Sequence, residues 1–595
     1  MSVAKHYITD PTHAVLSALE SLPRTNPSLL VDLANKIVYR NPTSIAEPTN
    51  VSVVCGGGSG HEPGFAGFVG EGLLTACVAG TIFASPGAEQ VRTCLQYRLP
   101  PESKGVLVIA TNYTGDVLNF GMGVEKARAM GKKVEMVVVG DDVGVGRERS
   151  GKVGRRGLSG AALVVKVCCA LAEQGVGLED CARIGRLVAK NLVSLGASLR
   201  RVHVPGRGIE EAREEEERLG LGLIEIGMGV HNEPGCEKVR TDLPGLVRIM
   251  LQQMLDQSDK DRAYVNIGKS DETILLINNF GGISNLELGA ITNEVCIQLN
   301  NNYGLKPRRI VQGTLWGSLD GPGFAVSVLK LSDTGLSDGR TMIDLIDAPV
   351  NAIGWPRCVS GETWERKYEL LLQKPEEAED EGQPSDLKLD PAKLRSALEP
   401  ALKKLIAAEA EVTKYDSVVG DGDCGIGLKR GAEAVLEMLP RITSDDAMTA
   451  FAKICATVEN NMDGTSGALY AIFLNSLASN LRLQDTSSLT PVTIGIWAKA
   501  LSLSVDGLGK YTPAQPGDRT LMDALTPFVD VLQRTGDVKK AAEAAREGAD
   551  KTKGMKASLG RSVYVGGTGF QEVPDPGAYG LSIFLSGIAN AVYEG

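Results

Sequence analysis

Two histidines and one aspartate stand in glycine-rich loops directly after short β-branched runs. His61 follows G-G-G-S-G, His231 follows G-M-G-V, and Asp116 ends the sequence N-Y-T-G-D. Imidazole can act as a general acid, a general base or a nucleophile, and a carboxylate can orient or deprotonate a hydroxyl group. The three side chains could also bind a metal ion, and their spacing alone leaves these alternatives open.

The other histidines fit ordinary structural positions. The chain has five histidines in all. His6 and His13 lie in the N-terminal lead and are predicted at the surface, whereas His203, in the alternating run R-V-H-V-P, is predicted to be a strand residue. We therefore expect His61 and His231 to be the histidines that carry chemistry.

Three aspartates with the spacing D-x4-D-x-D form a second polar group. Asp416 precedes G-D-G-D-C-G, in which Asp421 and Asp423 alternate with glycine. This G-x-G-x-x-G match does not indicate a bare dinucleotide, because two carboxylates would repel a pyrophosphate unless a cation lay between them. Mg²⁺ accepts a few carboxylates and completes its coordination with water and phosphate oxygens. The triad therefore predicts a magnesium site, with an acidic turn at a helix start as the alternative.

Other phosphate and cation motifs fail at single positions. The sequence I-G-K-S at 267–270 resembles the end of a P-loop, but Ala263 stands where the first glycine is required. An EF-hand is excluded because Ala432 stands where its bidentate glutamate is required. Three loops follow the aspartates: D-G-T-S-G (463–467), G-D-R-T (517–520) and D-P-G-A (575–578). Together they favour a helical domain whose loops hold a nucleotide and a metal ion.

The elements that position the two histidines are predicted to be strands. The chain contains 70 glycines, and β-branched runs end repeatedly in glycine or asparagine loops. These runs lie at 51–55, 106–110, 134–139, 223–226 and 273–277. Strands that alternate with helix-length segments indicate α/β units, in which ligands bind beyond the carboxyl ends of the strands.

The pattern changes after the acidic run K-P-E-E-A-E-D-E-G-Q-P-S-D at 374–386, which predicts a solvated linker. Beyond it, alanine- and leucine-rich segments repeat apolar residues every three or four positions, which predicts an all-helical domain. The clearest segments are 394–408, 447–460 and 538–551. We predict two α/β subdomains at 1–200 and 201–355, an acidic linker at 356–389 and a helical domain at 390–595.

Composition limits the partners and the compartment. The 595 residues carry a formal net charge of −11, opposite to the basic balance of most nucleic-acid-binding proteins. Eleven scattered cysteines without a C-x-x-C pair indicate neither a disulfide framework nor a zinc site. Lys5, Asp10 and Glu20 interrupt the N-terminal stretch, and no apolar run approaches the roughly 18 residues of a membrane span. We therefore expect a cytoplasmic protein that binds neither nucleic acid nor membrane.

Seven motifs stand in the same order as in a known family. They are G-G-G-S-G-H-E-P (56–63), N-Y-T-G-D-V-L-N-F (112–120), G-M-G-V-H-N-E-P-G (227–235), G-D-G-D-C-G (420–425), G-T-S-G (464–467), G-D-R-T (517–520) and D-P-G-A (575–578). By these motifs nearly the whole chain resembles the ATP-dependent dihydroxyacetone kinases. The resemblance implies a multidomain protein, in which an α/β kinase domain of two subdomains binds the sugar and an eight-helix barrel binds Mg-ATP.

The resemblance also implies roles at the sugar site. His231 would form a covalent hemiaminal with the substrate carbonyl, His61 would assist that addition, and Asp116 would orient or deprotonate the hydroxyl that attacks the γ-phosphate. The substrate loop would be formed by Gly58, Ser59 and Gly60. A lysine usually precedes N-Y-T-G-D in the family, but here the residue is Thr111. Because threonine offers one hydrogen bond in place of a cation, we expect weaker or altered substrate binding.

At the nucleotide site, the resemblance implies two Mg²⁺ ions held by Asp416, Asp421 and Asp423. The residues around ATP would be Asp421, Gly422, Asp423, Cys424, Thr465, Ser466, Asp518, Arg519, Asp575, Pro576 and Gly577. A homodimer is also implied, in which the helical domain of one subunit serves the sugar site of the other.

The activity implied is ATP-dependent phosphorylation of dihydroxyacetone and of D-glyceraldehyde. One alternative is a lyase that cleaves FAD to a cyclic flavin phosphate with Mn²⁺, as some relatives do, and this reaction would not need His231. Another is a non-catalytic dihydroxyacetone-binding regulator, against which the aspartate triad argues. The fusion of both domains in one chain favours ATP over a phosphocarrier protein as the phosphate donor.

Overall fold

Two structural units divide the chain, residues 1–371 and residues 372–595. The structure is a computed structural model that describes residues 6–8, 10–47, 49–206, 220, 222–356, 359–366, 384–485, 488–559, 563 and 568–594. Most of the predicted acidic run at 374–386 lies outside the described residues. Both described ends of the wider predicted linker, 356–389, are folded, since Gly361–Glu365 is a short helix and Leu387 is buried.

Strands and helices alternate along most of the N-terminal unit. Its strands are β1 (Leu29–Asp32), β2 (Ile37–Arg40), β3 (Ser52–Ser59), β4 (Ala76–Ile82), β5 (Val106–Thr111), β6 (Val134–Val139), β7 (Leu192–Ser198), β8 (Ile224–Ile226), β9 (Glu237–Val239), β10 (Thr273–Asn279), β11 (Arg309–Gly313) and β12 (Gly323–Lys330). Its α-helices are α1 (Pro11–Thr25), α2 (Ala88–Tyr97), α3 (Thr114–Ala129), α4 (Arg147–Ser150), α5 (Ala161–Glu173), α6 (Leu178–Lys190), α7 (Leu243–Leu255), α8 (Asn285–Gln298), α9 (Met342–Asp347) and α10 (Gly361–Glu365).

The strands form two six-stranded sheets. The first has the order β1-β2-β4-β3-β5-β6, and its β4, β3, β5 and β6 run parallel. The second has the order β11-β10-β12-β7-β8-β9, and only its β10–β11 pair is parallel. The first sheet thus has the α/β arrangement that the sequence pattern predicts, whereas the second is mostly antiparallel.

The two sheets share one apolar core. Alternate residues of β3 face opposite sides of the first sheet: Val54 packs with residues of α2 and α3, whereas Val53 joins the shared core. Helix α5 is buried from Ala161 to Ala172, and its residues cluster both with Leu107 of the first sheet and with Leu276 of the second. Because α5 packs on both sheets, the loops that follow their strands are held in a fixed relation.

Two expectations differ from the observed topology. Strand β7 at 192–198 belongs to the second sheet, whereas the predicted boundary at residue 200 assigned it to the first subdomain. His203 was predicted to lie in a strand, and this is wrong: β7 ends at Ser198, and His203 lies buried in the following loop. Val202, His203 and Val204 are all buried, but none of them joins the ladder.

The C-terminal unit is helical. Its helices are α11 (Pro391–Ala407), α12 (Glu409–Val419), α13 (Cys424–Met438), α14 (Ala447–Asn461), α15 (Gly464–Arg482), α16 (Ile494–Leu508), α17 (Met522–Thr535), α18 (Val538–Lys551) and α19 (Pro576–Glu594). The three helical segments that the apolar periodicity predicts are confirmed as α11, α14 and α18. The prediction of an all-helical domain misses one short parallel pair, β13 (Leu387–Lys388) with β14 (Thr490–Pro491).

The helices of this unit enclose an apolar cavity of about 490 Å³, lined by residues such as Leu428, Phe451, Phe473 and Leu525. Among the described helices of the whole chain, none is both long enough and apolar enough to cross a lipid bilayer.

Asn278 in β10 generates a prediction about stability. Its side chain is fully buried, donates to Trp316 O at 2.8 Å, and accepts from the backbone N–H groups of Leu315 and Trp316 at 2.9 and 2.8 Å. Asn278→Ala should lower the free energy of unfolding by about 3 kcal/mol, because buried backbone groups lose their partners. Urea unfolding followed by tryptophan fluorescence measures this. Asn302→Ala, at an exposed asparagine, is the matched control, and equal urea midpoints for the two variants would contradict the prediction.

Candidate active site and metal site

The loop after β3 positions the first histidine. Gly60 has a φ of +99°, and a Cβ atom at Gly58 would lie 2.8 Å from Ala84 N, so the chain turns where only glycine fits. The Ser59 hydroxyl donates to Gly80 O of β4 at 3.1 Å. The Ser59 hydroxyl, which was predicted to bind substrate, therefore connects the loop to the neighbouring strand. The turn at Gly60 places His61 in the site.

His61 contacts a backbone carbonyl and the second histidine. Its Nδ1 lies 2.9 Å from Gly317 O, and its Nε2 lies 2.9 Å from His231 Nε2. Since a carbonyl oxygen can only accept, Nδ1 carries the proton and Nε2 is an acceptor. Burial, reinforced by the nearby His231, lowers the pKa of His61 to about 3, so this imidazole is neutral at neutral pH.

His231, in the loop after β8, is held by Glu233. The Nδ1 atom of His231 lies 2.9 Å from Glu233 Oε1, and the backbone N–H of His231 donates to Glu233 Oε2 at 3.0 Å. Burial alone would raise the pKa of Glu233, but the hydrogen bond and charge of His231 and the Arg156 guanidinium outweigh burial and lower it to about 2. An ionised carboxylate only accepts, so His231 Nδ1 carries a proton.

These contacts determine where the remaining proton lies. Because His61 Nε2 has no proton, its hydrogen bond with His231 Nε2 requires the proton to be on His231. If His231 gives up that proton, it exposes an Nε2 lone pair while Nδ1 stays hydrogen-bonded to Glu233. The pair can thus supply a nucleophile together with an adjacent group that accepts and returns a proton.

Aromatic rings exclude water from the histidine pair. Phe83 stacks on His61 with ring centroids 5.3 Å apart, and Tyr113 meets His231 edge-on at 4.8 Å. Trp316 lies on another side of His61, at 6.1 Å. This apolar wall accounts for the desolvation that disfavours a charge on His61.

Asp116 lies in the first turn of α3 and is 5% exposed. Its Oδ2 accepts a hydrogen bond from Thr111 Oγ1 at 3.1 Å, and its buried Oδ1 has no hydrogen-bond partner. Burial raises the pKa of Asp116 above its usual value, against the opposing effects of the Ser85 and Thr111 hydroxyls and of His231. The carboxylate is thus a base with one oxygen held and one oxygen open.

The three candidate ligands of Mg²⁺ come together in the C-terminal unit. One ligand oxygen from each of Asp416, Asp421 and Asp423 lies within 4.8 Å of the others, and this is the one such group of three found among the described residues. Asp416 Oδ2 accepts from Cys424 N at 2.9 Å, and a Cβ atom at Gly420 would lie 2.2 Å from Asp416 Oδ1. The loop thus closes around a carboxylate oxygen, and three hard oxygen donors fit Mg²⁺.

The side chains of His61, His231 and Asp116 do not form a three-ligand metal group within the described residues.

Two of the predicted nucleotide-binding loops lie beside the aspartates. Ser466, in the first turn of α15, has its Oγ 3.9 Å from Cys424 Sγ, and Thr465 beside it is exposed. Asp575, before Pro576 and Gly577 at the start of α19, accepts from Ala578 N at 2.8 Å. Burial, with Asp523 and Asp416 adding to it, raises the pKa of Asp575 to about 6 against the effect of Arg519.

Asp518 and Arg519 are used within the fold. Arg519 is 2% exposed and donates to the backbone carbonyls of Thr552 and Val573 at 3.3 and 3.0 Å. Asp518 accepts from Gln515 N at 2.8 Å and from Ser558 Oγ at 2.5 Å. Their observed contacts join loops of the helical unit, so a direct contact with nucleotide stays a prediction.

Sequence reasoning missed Glu233, Arg156 and Gly317 as parts of the histidine site. The signal for Glu233 was present, because G-H-E-P (60–63) and H-N-E-P-G (231–235) repeat a histidine followed by a glutamate and a proline. Arg156 binds Asp142 and Gly227 O, which places its charge near Glu233. Gly317 contributes only a carbonyl group, and no side-chain pattern reveals such a role.

The α/β unit therefore carries a pair of histidines in contact, and the helical unit carries a group of three aspartates. A family model described as "Dak1 domain" matches residues 20–354, and one described as "DAK2 domain" matches residues 418–590. The chain belongs to the dihydroxyacetone kinase family.

Curated and solved relatives agree with this membership. The chain is 39% identical to "Dihydroxyacetone kinase" of Pichia angusta, over 99% of this chain and 98% of that protein. It is 34% identical to "Triokinase/FMN cyclase" of Homo sapiens, over 96% of each chain. The structure of the dihydroxyacetone kinase from C. freundii in complex with AMP-PNP and Mg²⁺ matches with a TM-score of 0.59 at 28% identity, over 99% of this chain and 100% of that one.

The protonation of His61 can be measured directly. Because burial holds its pKa at about 3, the His61 ring signals in ring-labelled histidine NMR should not shift between about pH 5 and pH 8. His61→Asn assigns the signals, because it removes those of His61. A His61 midpoint near the usual histidine value of about 6.5 would contradict the lowered pKa of this ring.

Proposed function

We propose that the protein transfers the γ-phosphoryl group of ATP to a terminal hydroxyl of dihydroxyacetone, and of D-glyceraldehyde, while His231 holds the substrate as a hemiaminal. The observation that carries this proposal is the contact between His61 and His231, in which one imidazole is a neutral acceptor and the other is fixed by Glu233. This arrangement suits addition of a nitrogen nucleophile to a carbonyl group.

Addition of His231 to the carbonyl group needs only one proton, the one in the hydrogen bond between the two imidazole rings. The His231 Nε2 proton passes to His61 Nε2, and the freed lone pair bonds to the carbonyl carbon. The C=O π bond breaks, and the proton on His61 moves to the carbonyl oxygen, which becomes the hemiaminal hydroxyl. Glu233 accepts from Nδ1 throughout and stabilises the positive charge that the ring acquires on bonding carbon.

Asp116 then deprotonates the terminal hydroxyl of the bound triose. Its raised pKa makes it a stronger base than an exposed carboxylate, which suits proton transfer near neutral pH. The hydroxyl oxygen attacks the γ-phosphorus, the bond to ADP breaks, and the proton stays on Asp116 until solvent removes it. The hemiaminal fixes the direction of the hydroxyl, so that attack becomes effectively intramolecular.

Asp416, Asp421 and Asp423 would hold two Mg²⁺ ions, and Gly422, Cys424, Thr465, Ser466 and Asp575 would surround the ATP phosphates. The C. freundii complex with AMP-PNP and Mg²⁺ supports this assignment. Bound Mg²⁺ neutralises phosphate charge that would otherwise repel the attacking oxygen. Arg519 would support this site by fixing the loops before Asp575. The apolar cavity among the helices supports a helical barrel as the architecture of this unit.

The human relative's name includes an FMN cyclase activity. Cleavage of FAD to a cyclic phosphate has no carbonyl addition step, so it gives no role to the His61–His231–Glu233 arrangement. The kinase proposal accounts for both sites. A non-catalytic regulator would leave the aspartate triad without a role.

Substrate comparison tests the kinase proposal. A coupled assay with Mg-ATP should show turnover of dihydroxyacetone and D-glyceraldehyde but not of glycerol, which has no carbonyl group for His231. His231→Ala should lose turnover of both trioses by more than about 100-fold, since covalent capture is lost. His13→Ala, at an exposed histidine, should behave as wild type. Glycerol turnover equal to that of dihydroxyacetone would contradict the hemiaminal, and FAD cleavage that survives in His231→Ala would reveal a separate cyclase.

We also propose a homodimer in which the helical unit of one subunit serves the sugar site of the other. Mixing His231→Ala with Asp423→Asn would then regenerate a site with both units intact, at up to about one quarter of wild-type activity if subunits exchange freely. A mixture of His231→Ala with Asp116→Asn, both defective in the same unit, should stay inactive. If the first mixture is as inactive as the second although size-exclusion chromatography shows exchange, the domain-exchange proposal fails.

A further inference from the structure

Thr111, the last residue of β5, is buried, with 3% of its surface exposed. Its Oγ1 donates to Asp116 Oδ2 at 3.1 Å. A hydroxyl group has a single proton, so this contact commits the one hydrogen that Thr111 can donate. The observed partner is a side chain of the protein, whereas the sequence led us to expect contact with the substrate.

The backbone at Gly157 packs against the Thr111 side chain. A Cβ atom at Gly157 would lie 2.6 Å from Thr111 Cγ2 and 2.7 Å from Thr111 Cβ. With Cγ2 on that backbone, rotation about the Cα–Cβ bond of Thr111 is restricted, and threonine has few rotamers to begin with. The hydroxyl is therefore fixed in the direction of Asp116.

Only one half of the Asp116 carboxylate is held. Oδ2 accepts from Thr111, whereas Oδ1 is buried and has no hydrogen-bond partner. A buried acceptor left without a partner is unfavourable, and a hydroxyl donor bound beside it would supply the missing hydrogen bond. The orientation of the carboxylate, and with it the direction of Oδ1, depends on the contact at Oδ2.

We propose that Thr111 is a positioning residue that fixes the Asp116 carboxylate by one oxygen, so that the other receives the terminal hydroxyl of the triose. This inference rests on the proposed kinase function. Thr111 acts through Asp116, so it affects deprotonation of the hydroxyl and leaves carbonyl capture by His231 unchanged. Thr111 is a rigid, neutral hydrogen-bond donor, so its role differs from that of a flexible lysine, which would place a positive charge near the substrate.

The electrostatic surroundings give the direction of a pH effect. Burial raises the pKa of Asp116, and the hydroxyl groups of Ser85 and Thr111 lower it. The other titratable groups that act on Asp116 are His231, in the loop after β8, and Cys55 of β3. Burial raises the pKa of Cys55 well above its usual value, so this thiol stays neutral over the working range. Loss of the Thr111 hydroxyl should therefore raise the pKa of Asp116 and move the acidic limb of kcat to higher pH.

Thr111→Val tests the proposal, because valine keeps the shape of the side chain and removes the hydroxyl. The expected result is a fall in kcat of about tenfold, through a misaligned base, with KM for dihydroxyacetone unchanged and the acidic limb of kcat shifted upward in pH. Thr111→Ser, which keeps the hydroxyl, should restore both kcat and the pH profile. Thr292→Val, at a threonine of α8 whose hydroxyl donates to Leu288 O, is the matched control and should behave as wild type.

Three results would overturn the inference: a wild-type kcat and pH profile in Thr111→Val, a rise in KM with kcat unchanged, or no recovery in Thr111→Ser. If circular dichroism shows that Thr111→Val is unfolded, Thr111→Ala carries the same expectation. Failure of the wild-type enzyme to phosphorylate dihydroxyacetone would remove the proposed function itself. An active wild type with an unaltered Thr111→Val would remove only the role of Thr111.

Discussion

The contact between the two Nε2 atoms of His61 and His231 is the constraint on which the histidine site depends. Two imidazoles can share a hydrogen bond at 2.9 Å only if one of them supplies the proton. The Gly317 carbonyl and the Glu233 carboxylate each occupy the other ring nitrogen of their histidine, so the proton between the rings has one consistent position. Burial keeps His61 neutral, so His61 is the acceptor in this hydrogen bond and His231 is the donor.

That contact requires two separate sheets to be held in register. His61 follows a strand of the first sheet, and His231 follows a strand of the second, 170 residues further along the chain. The shared apolar core around α5 fixes both sheets, and Asn278 fixes the segment that leads to Gly317. A small shift between the two sheets would separate the Nε2 atoms of His61 and His231 and break the hydrogen bond between them. The chemistry of the site therefore depends on the packing of the interior.

The sequence predicts where the reactive side chains lie better than it predicts the contacts that set their protonation and orientation. The parallel first sheet, the helical second unit, and the positions of His61 and His231 in strand-end loops follow from local patterns, because glycine loops after β-branched runs are local features. Asp116 was expected in such a loop but lies in the first turn of α3. The antiparallel second sheet, the buried His203 and the carbonyl of Gly317 depend on which strands pair across long separations, and no local pattern encodes that. Arg519 shows the same limit: its motif suggests a ligand contact, yet its guanidinium binds the carbonyls of Thr552 and Val573.

The histidine site and the aspartate site need opposite electrostatic environments, and this explains why their side chains differ in exposure. The histidine site keeps His61 uncharged and Asp116 basic, because both side chains are nearly buried, at 2% and 5% exposure. A site for a metal and a polyphosphate must instead admit large hydrated ions, and there Asp421 and Asp423 are exposed while only Asp416 is buried. Placing the two chemistries on separate units of the chain allows each to keep the environment that its own charges require.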